Sequence, residues 1–147
     1  MEHLEHPPLK VWETRRAWFE RVDDESRGEG SYVVSEQASA ISADVQCAYC
    51  AGAWVAVICL SMAVVDATLR EVEVPGFTGN TKQLLIEARA DPRIQHLRLR
   101  RNALMHVRPA DPALTVERQW ADRDELEKEA RIAVELMFSV IYLSPGT

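Results

Sequence analysis

Apolar residues recur along this chain at the three- and four-residue spacing of helices, and strand alternation is absent apart from a weak Tyr32-Val33-Val34. Val11, Trp12, Trp18, Phe19 and Val22 share a face with Arg15 and predict a first helix from about Leu9 to Val22. The polar stretch Asp23 to Gly30 reads as a linker. A long helix is expected next, starting between Ser35 and Ser42 and running to about Val72. Trp54, Ile58, Met62, Val65, Leu69 and Val72 form its stripe. Pro75-Gly76 and Thr78-Gly79-Asn80 stop it and make a turn. Thr81 is placed to cap a short helix, Lys82 to Arg89. Asp91-Pro92 then offers an N-cap followed by proline at the first helical position. The helix it opens is expected to reach about Val107, before Pro109 and Pro112, with His106 in its last turn. A closing helix is expected from Asp122, with Glu125 as capping-box partner, to about Leu143. Leu126, Ala130, Ala133, Met137 and Val140 lie on one of its faces. Together these elements predict an all-α fold, a helical bundle of four core helices plus an N-terminal helix. Residues 1–147 read as a single domain, with the core over about 38–143 and the N-terminal helix and linker over 1–37.

The uncharged run from Val45 to Val65 is long enough to span a bilayer. Against a span stand Gln46, Ser61 and many small residues within it, acidic borders at Asp44 and Asp66, and its smooth continuation into Ala67–Val72. A helix buried on most sides in a bundle is the expectation, with no membrane partner. The run also lacks the basic leader of a signal peptide. Cys47, Cys50 and Cys59 are too few and too clustered for a disulfide framework. Cys47-x-x-Cys50 is a redox motif or half a zinc site in form, but no second pair exists, and packing as small hydrophobes is the expectation. His3 and His6 precede Pro7-Pro8 on an end where a metal role is not expected. Reduced thiols suit a cytoplasmic setting.

The formal net charge of −6 argues against a general nucleic-acid coat, yet the charge is uneven. From Pro92 to Ala110 there is no Asp or Glu, while Arg93, Arg98, Arg100, Arg101, Arg108, His96 and His106 all fall there. A local cationic strip of this kind fits a focused phosphate site, with Arg98, Arg100 and Arg108 as RNA-binding candidates. Arg101 stands out because it lies within about 80° of Ile94 on a helical wheel, among Leu97, Leu104 and Met105. Charge in an apolar stripe is costly unless it is paired or used. Asp66 and Glu135 are the candidate partners that would make Arg101 a packing device, with His106 acting on the helix dipole.

Arg101, Asn102 and His106 also form an R-N-x-x-x-H unit with chemistry of its own. Metal-free RNA cleavage needs a base for the ribose 2′-hydroxyl, an acid for the leaving oxygen and cations for the phosphorane. Histidine titrates near neutrality and serves as base or acid. Arginine offers a fixed fork to phosphate oxygens. Asn102 and His106, four apart, stand on adjacent turns of one face. One chain supplies one such histidine, so a two-fold dimer supplying a second is attractive. Trp54 and Trp120 are conceivable base-stacking platforms, with packing the better expectation for Trp54 and loop anchoring for Trp120.

The helix ending VVDATLRE, the Gly-containing turn, LLIEARAD, and HLRLRRNALMHV followed by a closing amphipathic helix resemble the HEPN superfamily over roughly 38–143. Its R-x4-6-H motif, with a polar residue after the arginine, falls near the end of the penultimate helix. The resemblance implies a helical bundle that dimerises and brings two motifs to a shared cleft. It implies a metal-independent endoribonuclease without cofactor or metal, often a toxin or antiviral effector. Arg101 and His106 would be the catalytic pair, Asn102 the supporting polar residue, and Asp66 an acid that pairs with or orients Arg101. RNA and a second copy are the implied partners, with room for an antitoxin or regulatory protein. The H-x-Y pattern modified by a partnering nucleotidyltransferase is absent, since Val107 and Arg108 follow His106, so that antitoxin is not implied. Some members have lost activity, which leaves an inactive RNA- or nucleotide-binding or protein-interaction domain as the alternative.

Overall fold

A computed structural model of the chain describes residues 4–146. The described residues form seven α-helices: α1 Leu9–Arg27, α2 Glu36–Ala51, α3 Trp54–Thr68, α4 Thr81–Glu87, α5 Pro92–Met105, α6 Val116–Ala121 and α7 Arg123–Ile141. A π-helical segment, Leu69–Glu73, continues α3. Among the described residues there is no strand, and Tyr32-Val33-Val34 is an unpaired connection. The architecture is all-α.

The single long helix expected up to Val72 is instead a helical hairpin. Gly52 breaks it in the left-handed region, at φ 76° and ψ 23°, with its N–H donating to the carbonyls of Ala48 and Tyr49. Glycine adopts that conformation without the Cβ penalty other residues meet, which makes it the usual stop after a helix. The two helices then fold back on each other. Ser35 and Ala38 at the start of α2 line the same small cavity as Thr68 at the end of α3. The uncharged run is therefore divided between two helices. No helix among the described residues is long and apolar enough to cross a membrane.

α3 is the central element, packing on α2, α5 and α7. Contact on several sides explains why its apolar positions exceed one stripe. Trp54, Val57, Ile58, Met62, Val64 and Val65 are all buried. α7 supplies Leu126, Ala130, Ala133, Met137 and Val140, the face expected of it. α1 contributes Phe19, whose ring lies 6.0 Å from Tyr49 and 5.2 Å from Phe138. α1 also runs through the stretch expected as linker, to Arg27. There Asp24 pairs with Arg27 at 2.8 Å, and Asp23 accepts a hydrogen bond from the Tyr142 hydroxyl at 2.5 Å. Those contacts hold polar residues in helical form that composition alone assigns to a loop.

The caps follow local chemistry with two corrections. Asp91 caps α5 as expected, accepting from the Arg93 N–H at 2.9 Å. Asn80, one residue before the expected Thr81, caps α4 through a reciprocal box with Gln83. Thr81 is thereby freed to donate to Asp66 Oδ1 at 2.8 Å. The box expected between Asp122 and Glu125 does not form. Asp122 ends α6 at φ −101° and ψ 27°, outside the extended conformation an N-cap side chain needs.

Candidate functional site

α5 carries the site, and its two ends differ. Ile94 and Leu97 anchor the first half in the core. Beyond them Leu104 still packs against the core, while Leu99 is 54% and Met105 62% exposed. Met105 is thus not on the buried stripe, although its neighbour Leu104 is. His106 sits one residue past the helix rather than in its last turn, extended at φ −123° and ψ 107°. Its N–H still donates to the Asn102 carbonyl at 2.9 Å, so the backbone holds His106 one turn from Asn102.

Asn102 and His106 line one open cleft of about 490 Å³ together with Leu99, Ala103, Arg108, Asp111 and Ala113. Three residues singled out in the sequence therefore converge: Asn102, His106 and Arg108. Asp111, Leu99 and Ala113 join them without having been foreseen. The only sequence signal for Asp111 is its place before Pro112 in the loop after the motif.

Arg101 stands behind this cleft instead of lining it. It is half-buried, and its Nε donates to Asn102 Oδ1 at 2.8 Å. Among the described residues it forms no ion pair, with Asp66, Glu135 or any other carboxylate. Its charge is felt instead by Cys59 of α3. Burial pushes that thiol up, and Arg101 first and Arg100 second pull it back down.

Asp66, expected to pair with or orient Arg101, is committed elsewhere. Its Oδ2 accepts from Arg70 Nε at 2.9 Å and its Oδ1 from Thr81. Arg70 in turn donates to the Gly79 carbonyl at 2.9 Å, so Asp66 fastens the turn between α3 and α4. Spacing along one helix favours the Asp66–Arg70 pair, four residues apart, over a partner on another element.

The three arginines expected to bind RNA separate. Arg100 turns to α7, gripping Glu129 with Nε at 2.8 Å and Nη2 at 3.2 Å, and donates to the Ala113 carbonyl. Arg98, half-buried on the Asn102 edge of α5, donates to Gln95 Oε1 at 2.9 Å. Arg108 reaches the cleft. Neither Arg98 nor Arg108 forms an ion pair among the described residues.

Trp54 is no base platform, being 2% exposed with Arg15 at 4.8 Å and Arg123 at 5.6 Å from its ring centre. Trp120 is exposed on α6 and does not line the cleft. Cys47 and Cys50 are free thiols on the α1–α2 groove with Trp12 and Arg16. Among the described residues no group of three His, Cys, Asp or Glu side chains could hold a metal ion. His6 is exposed beside the Pro7 carbonyl, and His3 lies outside the described residues. Comparison with family models, with curated proteins and with solved structures finds no match for the chain.

Proposed function

We propose that this chain is a metal-independent endoribonuclease of HEPN type, a toxin or defence effector acting in the cytoplasm at a site shared by two copies. Its four core helices are α2, α3, α5 and α7, and α1 is the added N-terminal helix. The observation that carries the proposal is the convergence of Asn102, His106 and Arg108 on one cleft. Arg98 and Arg101 on the same helix support it, since neither charge is neutralised by a carboxylate among the described residues.

Cleavage proceeds by transfer within the RNA. A base takes the proton of a ribose 2′-hydroxyl, O2′ bonds to phosphorus, the P–O5′ bond breaks, and an acid protonates O5′. A 2′,3′-cyclic phosphate and a 5′-hydroxyl end result, without a cofactor. His106 is one proton carrier, and a partner copy supplies the other. Arg108 meets the phosphate oxygens. Asn102, its Oδ1 already holding Arg101, keeps its amide N–H groups for the charge that develops on phosphorus. Arg101 acts at one remove, setting Asn102 and adding positive potential behind it. Exposed Met105 and Val107 beside the motif are apolar surface for the second copy to cover.

The test is incubation of the purified protein with a mixed RNA pool in EDTA, beside His106→Ala. Cleavage by the wild type alone, leaving cyclic phosphate ends, is the expected result. Intact RNA with both proteins would overturn it. A second proposal, an inactive RNA-binding module, is favoured by the absence of Arg101 from the cleft lining. In that case RNA is held with salt-dependent affinity and stays whole.

A further inference from the structure

Arg108 and Asp111 stand at the two ends of one tight turn, closed by the Asp111 N–H donating to the Arg108 carbonyl at 3.0 Å. Pro112 follows Asp111 and restricts its backbone to extended conformations. Both side chains line the cleft that holds Asn102 and His106. Both are exposed, and neither forms an ion pair among the described residues, so both are free to meet a ligand. The wall between them and the motif is apolar, made by Leu99, 54% exposed, with Ala103 and Ala113. One site thus combines a carboxylate, a guanidinium and an exposed apolar surface beside a histidine.

We propose that this part of the cleft binds a guanine base, and that Asp111 selects it. The inference rests on the ribonuclease reading for its consequence, cleavage after guanosine, but not for the binding itself. A carboxylate is an acceptor-only group with two oxygens. Among the RNA bases, guanine alone presents two adjacent donors, N1–H and N2–H, on its Watson–Crick edge. Adenine and cytosine offer a single exocyclic amine beside an acceptor, and uracil a single imino N–H between two acceptors. Asp111 can therefore be doubly satisfied by guanine and by no other base. Splayed-out bases of single-stranded RNA are read in this way on that edge. Leu99 gives the base face an apolar surface, while Arg108 takes the attached phosphate. The ribose between them then lies beside His106.

The experiment uses the full chain with guanosine, adenosine, cytidine and uridine 3′-monophosphates as binding probes. Chemical-shift titration measures binding, and end-mapping of a cleaved RNA pool runs in parallel. The wild type is expected to bind the guanosine probe about tenfold more tightly than the others and to leave guanosine at the cyclic ends. Asp111→Asn, which exchanges one acceptor for a donor, should flatten the preference. Arg108→Ala should weaken all four probes together. Circular dichroism confirms that both variants are folded. Cleavage without base preference, or a guanine preference that survives Asp111→Asn, would overturn the guanine site and leave the ribonuclease standing. Asp111-dependent guanine binding without any cleavage would overturn the ribonuclease and leave the site. Loss of both base preference and cleavage in the wild type would overturn both.

Discussion

Arg98, Arg100 and Arg108 carry one charge each on the same stretch of chain, and their partners divide them. Arg100 is held by Glu129 and by the Ala113 carbonyl, while Arg98 and Arg108 form no ion pair among the described residues. Measured RNA affinity against salt should reflect that division. Arg98→Ala and Arg108→Ala are each expected to reduce the slope of log K against log salt by about one unit. Arg100→Ala should leave the slope unchanged and lower unfolding stability by no more than about 1 kcal/mol, since the pair is only half-buried. Arg101 has a reporter in Cys59, whose thiol is raised by burial and lowered by Arg101. Removing the guanidinium disfavours the thiolate, so Arg101→Ala should move the pH midpoint of Cys59 alkylation upward. An unchanged midpoint would mean that Arg101 does not face α3.

At the scale of elements, the α2–α3 hairpin depends on one backbone conformation. Gly52 sits at a positive φ, and a Cβ there would meet Arg15 Nη1 at 2.9 Å. Gly52→Ala is expected to cost roughly 1–2 kcal/mol in urea unfolding, the penalty of a left-handed residue with a side chain. The same hairpin buries Tyr49, whose hydroxyl has no hydrogen-bond partner among the described residues and whose pKa burial pushes up to about 12. In the unfolded chain the phenol ionises near its ordinary value of about 10. Keeping it neutral therefore stabilises the fold fully below about pH 10, and that contribution is lost as the pH rises toward about 12. Tyr49→Phe should show a shallower alkaline fall in its urea midpoint between those limits. A fall identical to that of the wild type would show that Tyr49 is accessible to base.

At the scale of the molecule, a chain of net charge −6 leaves Arg98 and Arg101 of α5 without an ion pair among the described residues. A local positive field on an acidic body steers phosphate to one place and keeps other surfaces from binding it. The proposed second copy belongs to this scale as well. Met105→Glu places a charge on the exposed apolar end of α5. It should convert a dimer to monomer in sedimentation velocity while circular dichroism stays helical, because Met105 is not part of the core. A monomeric wild type would remove the shared site from the proposed mechanism.

Much of the fold was legible because its signals are local. The start of α5 at Asp91-Pro92, the buried face of α7 and the all-α architecture all follow from spacing and capping chemistry within a few residues. The motif was legible only in part, since the helical repeat places Asn102 on α5 but His106 lies one residue past the helix, tied back by its N–H to the Asn102 carbonyl. Gly52 was visible but ambiguous, because a glycine in an apolar run fits a continuous helix until a packing partner rewards the reversal. The partners of Asp66 and Arg100 were not legible from side-chain type, because several opposite charges were in reach and only the fold chose among them. The cleft itself depended on the loop from Arg108 to Ala113 folding back beside α5, a contact that periodicity does not encode. Helices and their caps come from short-range hydrogen bonding and apolar spacing. The assembly of Asn102, His106, Arg108 and Asp111 around one space comes from tertiary packing, which alone brings a loop to a helix face.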